Sequence, residues 1–275
     1  MNIAACFKVL PEFSLLSETD WQACQGLNPD FGFVKQVFNT VEEGALELAV
    51  GLADQIRGQG TDIDLTALTV DGPGADLFLK QLLAAGYTHA VRIENGSGRD
   101  IRFHPTVVSR LITAYVKQDR HQDILIFGSQ GAEGDNCQTG FLAAEHLGWP
   151  CIRNVTGLGY DGSSGLFRVE SRAGATNITQ QVRPPLVLVA GNIEAAPYLR
   201  VPTLKEKLQA AKKPVQVLPA ADLGGKDLMG DEEERRLVRL YREQQKRKCA
   251  FISGPSSEET ARRLYETCLK ERLGR

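Results

Sequence analysis

Residues Phe127 to Gly140 read F-G-S-Q-G-A-E-G-D-N-C-Q-T-G. Glycines at 128, 131 and 134 fall between an apolar run, Ile124 to Phe127, and a helical pattern at Phe141, Leu142, Ala144 and Leu147. That order predicts a strand, a glycine loop and the start of a helix. The start of a helix leaves backbone N–H groups outside its own hydrogen-bond ladder and carries the positive end of the helix dipole. Phosphate suits such a place, and glycines let it approach the backbone. Gln138 and Thr139 add side-chain donors at the same end. An ordinary strand-to-helix turn capped by Asp135 or Asn136 has the same appearance.

The surrounding pattern supplies elements that could hold this loop. Strands are expected at Ile3 to Val9, Asp64 to Val70, His89 to Ile93, Asp123 to Phe127 and Cys151 to Val155. Helical spacing occupies Val41 to Ile56, Ala75 to Ala85 and Thr106 to Lys117. Such alternation implies an α/β fold, a three-layer parallel sheet of Rossmann-like, adenine-nucleotide-binding type with helices on both faces. Ligands of such sheets lie beyond the carboxyl ends of the strands, where the glycine loop falls. A hairpin is expected from Gly165 to Val182, a buried strand at Pro185 to Ala190, a helix from Thr203 to Ala211 and a short strand from Val215 to Leu218.

The sequence divides into an α/β domain over 1–224 and a C-terminal helical arm over 225–275. Asp231 to Glu234, followed by Arg235, Arg236, Arg239 and Arg242, reads as a solvated charged helix. The last segment opens with Ser256 and early acids, then carries Leu264, Tyr265, Cys268 and Leu269 on an amphipathic helix. The arm is too small to hold a core of its own and must pack on something.

Composition excludes several classes. The chain has 275 residues, 42% hydrophobic and 24% charged, with a net charge of −2. That balance gives no electrostatic case for nucleic acid or an anionic membrane. No apolar run has the length of a membrane span, and the first residues have no secretory pattern. The six cysteines, 6, 24, 137, 151, 249 and 268, form no C-x-x-C pair, and the four histidines have no metal-ligand spacing. A reducing, cytoplasmic setting is expected.

Four ordered stretches resemble the beta subunit of electron-transfer flavoprotein. Ala5-Cys6-Phe7-Lys8 is similar to the family's opening V-A-V-K. The glycine loop, with Gly148-Trp149-Pro150 after it, resembles the signature G-x-Q-x-x-D-G-D-x-x-Q-T-G. Pro197 to Pro202 (P-Y-L-R-V-P), with Ala211 to Pro214, resembles the partner-recognition loop and the element after it. Lys248 to Leu264 resembles the arm that wraps the alpha subunit.

The resemblance implies a heterodimer with an alpha subunit that holds most of the redox FAD. It also implies AMP in the beta subunit, or a second FAD exchanging electrons with NADH in bifurcating relatives. Nucleotide contacts carry over to Cys6, Val70, Asp71, Gly131, Gly134, Cys137, Gln138 and Thr139, and to Asn39 as a ribose contact. Phe13 falls at an aromatic that lies against the alpha-bound flavin. Tyr198 and Val201 fall on the loop that docks dehydrogenase partners, with a quinone-linked acceptor downstream. Glu133 and Cys137 depart from the family pattern, and Pro105 stands where bifurcating relatives carry an acid. Two other readings remain, an adenine-nucleotide hydrolase and a nucleotide-sensing module. The first lacks a Ser-Gly-Gly-rich loop on the first strand and a clustered acid, base and nucleophile, and the second does not explain the arm or the segment Tyr198 to Pro202.

Overall fold

The computed structural model describes residues 1–23, 33–96, 101–118, 121–131, 137–194, 198–224, 228 and 249–273. Its order of elements is β1 (Asn2–Cys6), β2 (Val9–Pro11), α1 (Glu18–Ala23), β3 (Gln36–Phe38), α2 (Thr40–Gly58), β4 (Asp64–Val70), α3 (Asp76–Ala85), β5 (His89–Glu94), α4 (Pro105–Gln118) and β6 (Ile124–Gly128). Then come α5 (Thr139–Leu147), β7 (Cys151–Asp161), β8 (Leu166–Ala173), β9 (Thr176–Val182), β10 (Leu186–Ala190), α6 (Leu204–Ala211), β11 (Gln216–Pro219) and α7 (Ser257–Leu264). A wide π-helical turn, Tyr265–Leu269, joins α7 to α8 (Lys270–Leu273).

Nine strands form one sheet in the order β11-β5-β4-β1-β6-β10-β7-β8-β9. From β11 to β7 every neighbouring pair is parallel. The chain builds β4 and β5 on one side of β1, then crosses through α4 to place β6 on the other side. Strand order therefore reverses between β1 and β6, the place where open α/β sheets leave a crevice for ligands.

The buried strands are nearly continuous apolar runs, as a sheet covered on both faces requires. In β1 the alternate residues Ile3 and Ala5 join one core, and Ala4 and Cys6 join the other. The first core lies under α2 and α3, through Ala45, Leu46, Ala49, Leu79 and Leu82. The second lies under α4 and α5, through Leu111, Ile112, Tyr115 and Ala143. Full burial of a Leu or Ile side chain contributes about 1.5–3 kcal/mol relative to exposure. Leu46→Ala, in the middle of α2 and fully buried, would therefore cost about 2–5 kcal/mol. Gly86 ends α3 in the left-handed region at φ 116°, where a Cβ would be strained.

Two differences from the sequence reading bear on the site. The first strand stops at Cys6 instead of Val9. Past it the chain enters β2, which pairs antiparallel with β3 in a small separate sheet. Strand β7 runs to Asp161, well beyond Val155. Its first residues pair parallel with β10, and its later ones pair antiparallel with β8 after a bulge between Val155 and Gly157. The expected hairpin is thus the antiparallel end of the main sheet. The charged helix expected over 231–242 lies outside the described residues.

Candidate functional site

A cavity of about 710 Å³ opens at the carboxyl ends of β1, β4, β5 and β6. Its apolar lining includes Cys6, Leu68, Val70, Phe127 and Val189 from the strands, and Val108 and Ile112 from α4. One rim is the β6–α5 turn: Gly128, Ser129, Gln130 and Gly131, then Cys137 to Phe141. Helix α5 begins at Thr139, and the side chain of its N-cap residue, Gln138, makes no capping hydrogen bond; the cap candidates Asp135 and Asn136 lie outside the described residues. The first-turn N–H groups, which a helix leaves without internal partners, therefore belong to a stretch that lines the cavity.

Two glycines make the rim possible. A Cβ at Gly140 would fall 2.8 Å from Val189 Cγ2 and 3.3 Å from Phe127 Cβ. Only a glycine lets the start of α5 pack this closely on β6 and β10. A Cβ at Gly128 would fall 2.5 Å from Glu42 Cγ. At the far side of the turn, Cys137 holds φ 52°, a left-handed conformation uncommon for a residue other than glycine.

The lining also carries polar groups. Glu42, in the first turn of α2, accepts the Lys8 N–H at 2.7 Å. Burial pushes its carboxyl up to about 7, while the hydrogen bonds from Lys8 and Asn39 and the Lys8 charge pull the other way. Burial also raises the Asp71 carboxyl, against the Gly72 N–H and the Lys8 charge. Asp71 accepts that N–H at 2.7 Å. Glu94 stands 3.5 Å from the Arg92 guanidinium, whose Nε donates to Asp76 at 2.7 Å. The Cys6 thiol is pushed well above its ordinary value, first by burial and then by Glu42. A thiol in that state is not a nucleophile.

The cavity gathers Cys6, Val70, Asp71, Gly131, Cys137, Gln138 and Thr139. Gly134 lies outside the described residues, as does Glu133. Asn39 is buried and does not line the cavity, and its Nδ2 donates to Gln130 O at 2.6 Å. It therefore ties the start of α2 to the glycine loop. Phe13 is not among the lining residues. It sits in a short helical turn with its ring 6.3 Å from that of Trp21. Tyr198 and Val201 are 67% and 87% exposed, and neither lines the cavity. Sequence reasoning missed Lys8 as a site residue, and Glu42, Glu94 and Arg102 entirely, all of which line the cavity. For Lys8 the signal was its place just past a buried strand end. Glu42 had none, because acids in a first helical turn are ordinary.

A strand, glycine loop and helix start at a switch point fit a nucleotide. A family profile described as "Electron transfer flavoprotein domain" matches residues 33–223. Over 99% of both chains, the sequence is 32% identical to YgcR of Escherichia coli (strain K12), a candidate electron transfer flavoprotein subunit. This chain belongs to the electron transfer flavoprotein family, as a beta-type member. It is also 26% identical to the electron transfer flavoprotein subunit beta of Methylophilus methylotrophus, over 86% of this chain and 88% of that one. The corresponding subunit of Bacillus subtilis (strain 168) is 27% identical over 75% of each chain. A role in flavoprotein electron transfer follows from this membership. Among the described residues, no helix is long and apolar enough to cross a membrane, and no cluster of His, Cys, Asp and Glu could hold a metal ion.

Proposed function

We propose that this chain is the beta subunit of a heterodimeric electron-transfer flavoprotein. It would carry electrons from dehydrogenases toward a quinone-linked acceptor through an FAD held mainly by an alpha subunit. AMP would occupy the cavity as a structural ligand. The observation that carries this reading is the cavity itself, lined by a glycine turn, the start of helix α5 and the carboxylates Glu42, Asp71 and Glu94.

The lining offers groups for both ends of AMP. The α5 start, Gly131, Gln138 and Thr139 would take the phosphate. In their ionised form Glu42 and Asp71 accept hydrogen bonds only, and in that form they would face the hydroxyl and amino donors of the nucleoside. Cys6 and Val70, at neighbouring strand ends, would flank the base. Asn39 would act through the loop that it holds. The bound flavin supplies the redox chemistry, and this chain's part is to fix its position. Phe13 would lie toward it, braced by Trp21. Tyr198 and Val201 would meet the dehydrogenase, since exposed apolar and aromatic anchors are how such contacts concentrate their energy. The arm from 225 onward would pack on the alpha subunit, covering Leu264, Tyr265, Leu269 and Leu273, which are all exposed here.

One observation favours a second reading. The cavity extends past β5 to Ile101, Arg102 and Pro105, which leaves space for more than a mononucleotide. A second FAD with an NADH site would use it, as in bifurcating relatives. Coexpression with the alpha subunit tests the main proposal. A yellow heterodimer supports it, and a colourless chain that hydrolyses ATP alone contradicts it.

A further inference from the structure

Segment Tyr198 to Pro202 is held from several sides. Leu199 is 9% exposed and belongs to the core under α2 and α3. Pro202 is buried as well. Between them, Arg200 reaches α2. Its Nη2 and Nε donate to Glu47 Oε1 at 2.7 and 2.9 Å, and its Nη1 donates to Asp54 Oδ2 at 2.7 Å. Its backbone N–H donates to Glu47 Oε2 at 2.9 Å. Glu47 and Asp54 are two helical turns apart and so share one face of α2. Immediately after the segment, Thr203 and Glu206 form a reciprocal capping box at the start of α6.

We propose that Arg200 is a positioning residue that clamps segment 198–202 to helix α2 and thereby fixes Val201 in its outward presentation. The purpose of the clamp rests on reading this segment as the partner-docking loop. An isolated surface ion pair would carry little. This one differs in three ways. The guanidinium is engaged by two carboxylates at once, its own backbone joins the contact, and the Glu47 side chain is only 14% exposed. The burial of Leu199 and Pro202 on either side leaves Val201 few directions to take. A loop already held in its docking shape loses less conformational freedom on association. The planar fork of Arg200 matches this job, and a lysine could satisfy only part of it.

The test is backbone hydrogen exchange of the full-length chain, read on the amides of residues 199–201. Arg200→Ala and Glu47→Gln are each expected to speed exchange there by about tenfold or more, with β1 and β6 unchanged. Arg200→Lys should fall between. Unchanged exchange at 199–201 in Arg200→Ala overturns the clamp. A rise spread equally over β1 and β6 also overturns it, because the arginine would then serve overall stability. Electron transfer from a dehydrogenase in a Val201→Ala variant separates the two ideas. An unaffected rate removes the docking purpose, whatever the exchange shows. A slowed rate with unchanged exchange in Arg200→Ala leaves docking standing and the clamp refuted.

Discussion

Gly128 and Glu42 share one space at the mouth of the cavity. A Cβ at position 128 would lie 2.5 Å from Glu42 Cγ and 3.3 Å from Glu42 Cα. The second distance matters more, because rotating the glutamate side chain cannot relieve a clash with its backbone. The last residue of β6 and the first turn of α2 are thus packed backbone to backbone. The glycine is needed here for closeness, not for an unusual φ.

Gly128→Ala should therefore push α2 away from β6. Overpacking of this kind costs about 1–3 kcal/mol. Thermal unfolding should show the loss. Glu42→Ala in the same chain should relieve only part of it, since the α2 backbone stays in the way, and the two substitutions should not add.

The raised Glu42 carboxyl gives a signed dependence on pH. Its value moves from 4.5, the ordinary value, to about 7 in the folded chain. Between those values the folded state binds the extra proton, so stability falls as pH rises through the window. Relative to Glu42→Gln, the nucleotide-free protein should lose stability from about pH 5 to about pH 7 and level off above that. The loss is on the order of 1–3 kcal/mol. Denaturant midpoints of both proteins across that range would show it, and parallel profiles would place the carboxyl in water.

Thr139→Val keeps the shape of the residue and deletes a donor at the start of α5. A hydrogen bond to a charged group is worth about 1.5–3 kcal/mol, so AMP affinity should fall roughly ten- to hundredfold. Calorimetric titration of the stripped protein measures this. Cys137 gives an independent reading of the same rim. It is exposed and lines the cavity, whereas Cys6 is buried. Iodoacetamide should modify Cys137 and spare Cys6, and added AMP should slow the Cys137 reaction. Equal rates with and without AMP would place the nucleotide elsewhere.

Removing residues 249–275 should separate the chain from its alpha subunit. Phe251 is 94% exposed, and the helix after it contributes no buried side chain. The α/β core should unfold at nearly the same temperature without it. Size-exclusion chromatography at low micromolar concentration would show dissociation, and a persistent heterodimer would assign the arm another role.

The frame of this molecule was readable because its strands are short, apolar and punctuated. Asp64–Val70 was legible to the residue, bounded by Asp62 before it and Asp71-Gly72-Pro73 after it. What failed was any feature set by partners distant in sequence. Phe7 looks like a continuation of β1, yet the chain leaves the strand there and Val9 pairs with Phe38. Strand β7 runs past Val155 because β8 offers it a second partner. In the site, the glycine loop announced itself by composition. Glu42 did not, because Glu42 and Glu43 look alike in sequence and only the approach of Gly128 and the Lys8 N–H distinguishes them. The Arg200 contact with Glu47 spans 153 positions and leaves no local trace.

On the proposed reading, the cavity beyond β1 and β6 holds AMP beside a flavin carried by the alpha subunit. The most direct measurement is the nucleotide content of the coexpressed heterodimer, released by denaturation and separated by chromatography. One FAD and one AMP per heterodimer is the predicted result. Two FAD with no AMP would contradict the structural AMP and assign the cavity to a second flavin, and a heterodimer that released FAD alone would contradict a nucleotide in this chain altogether.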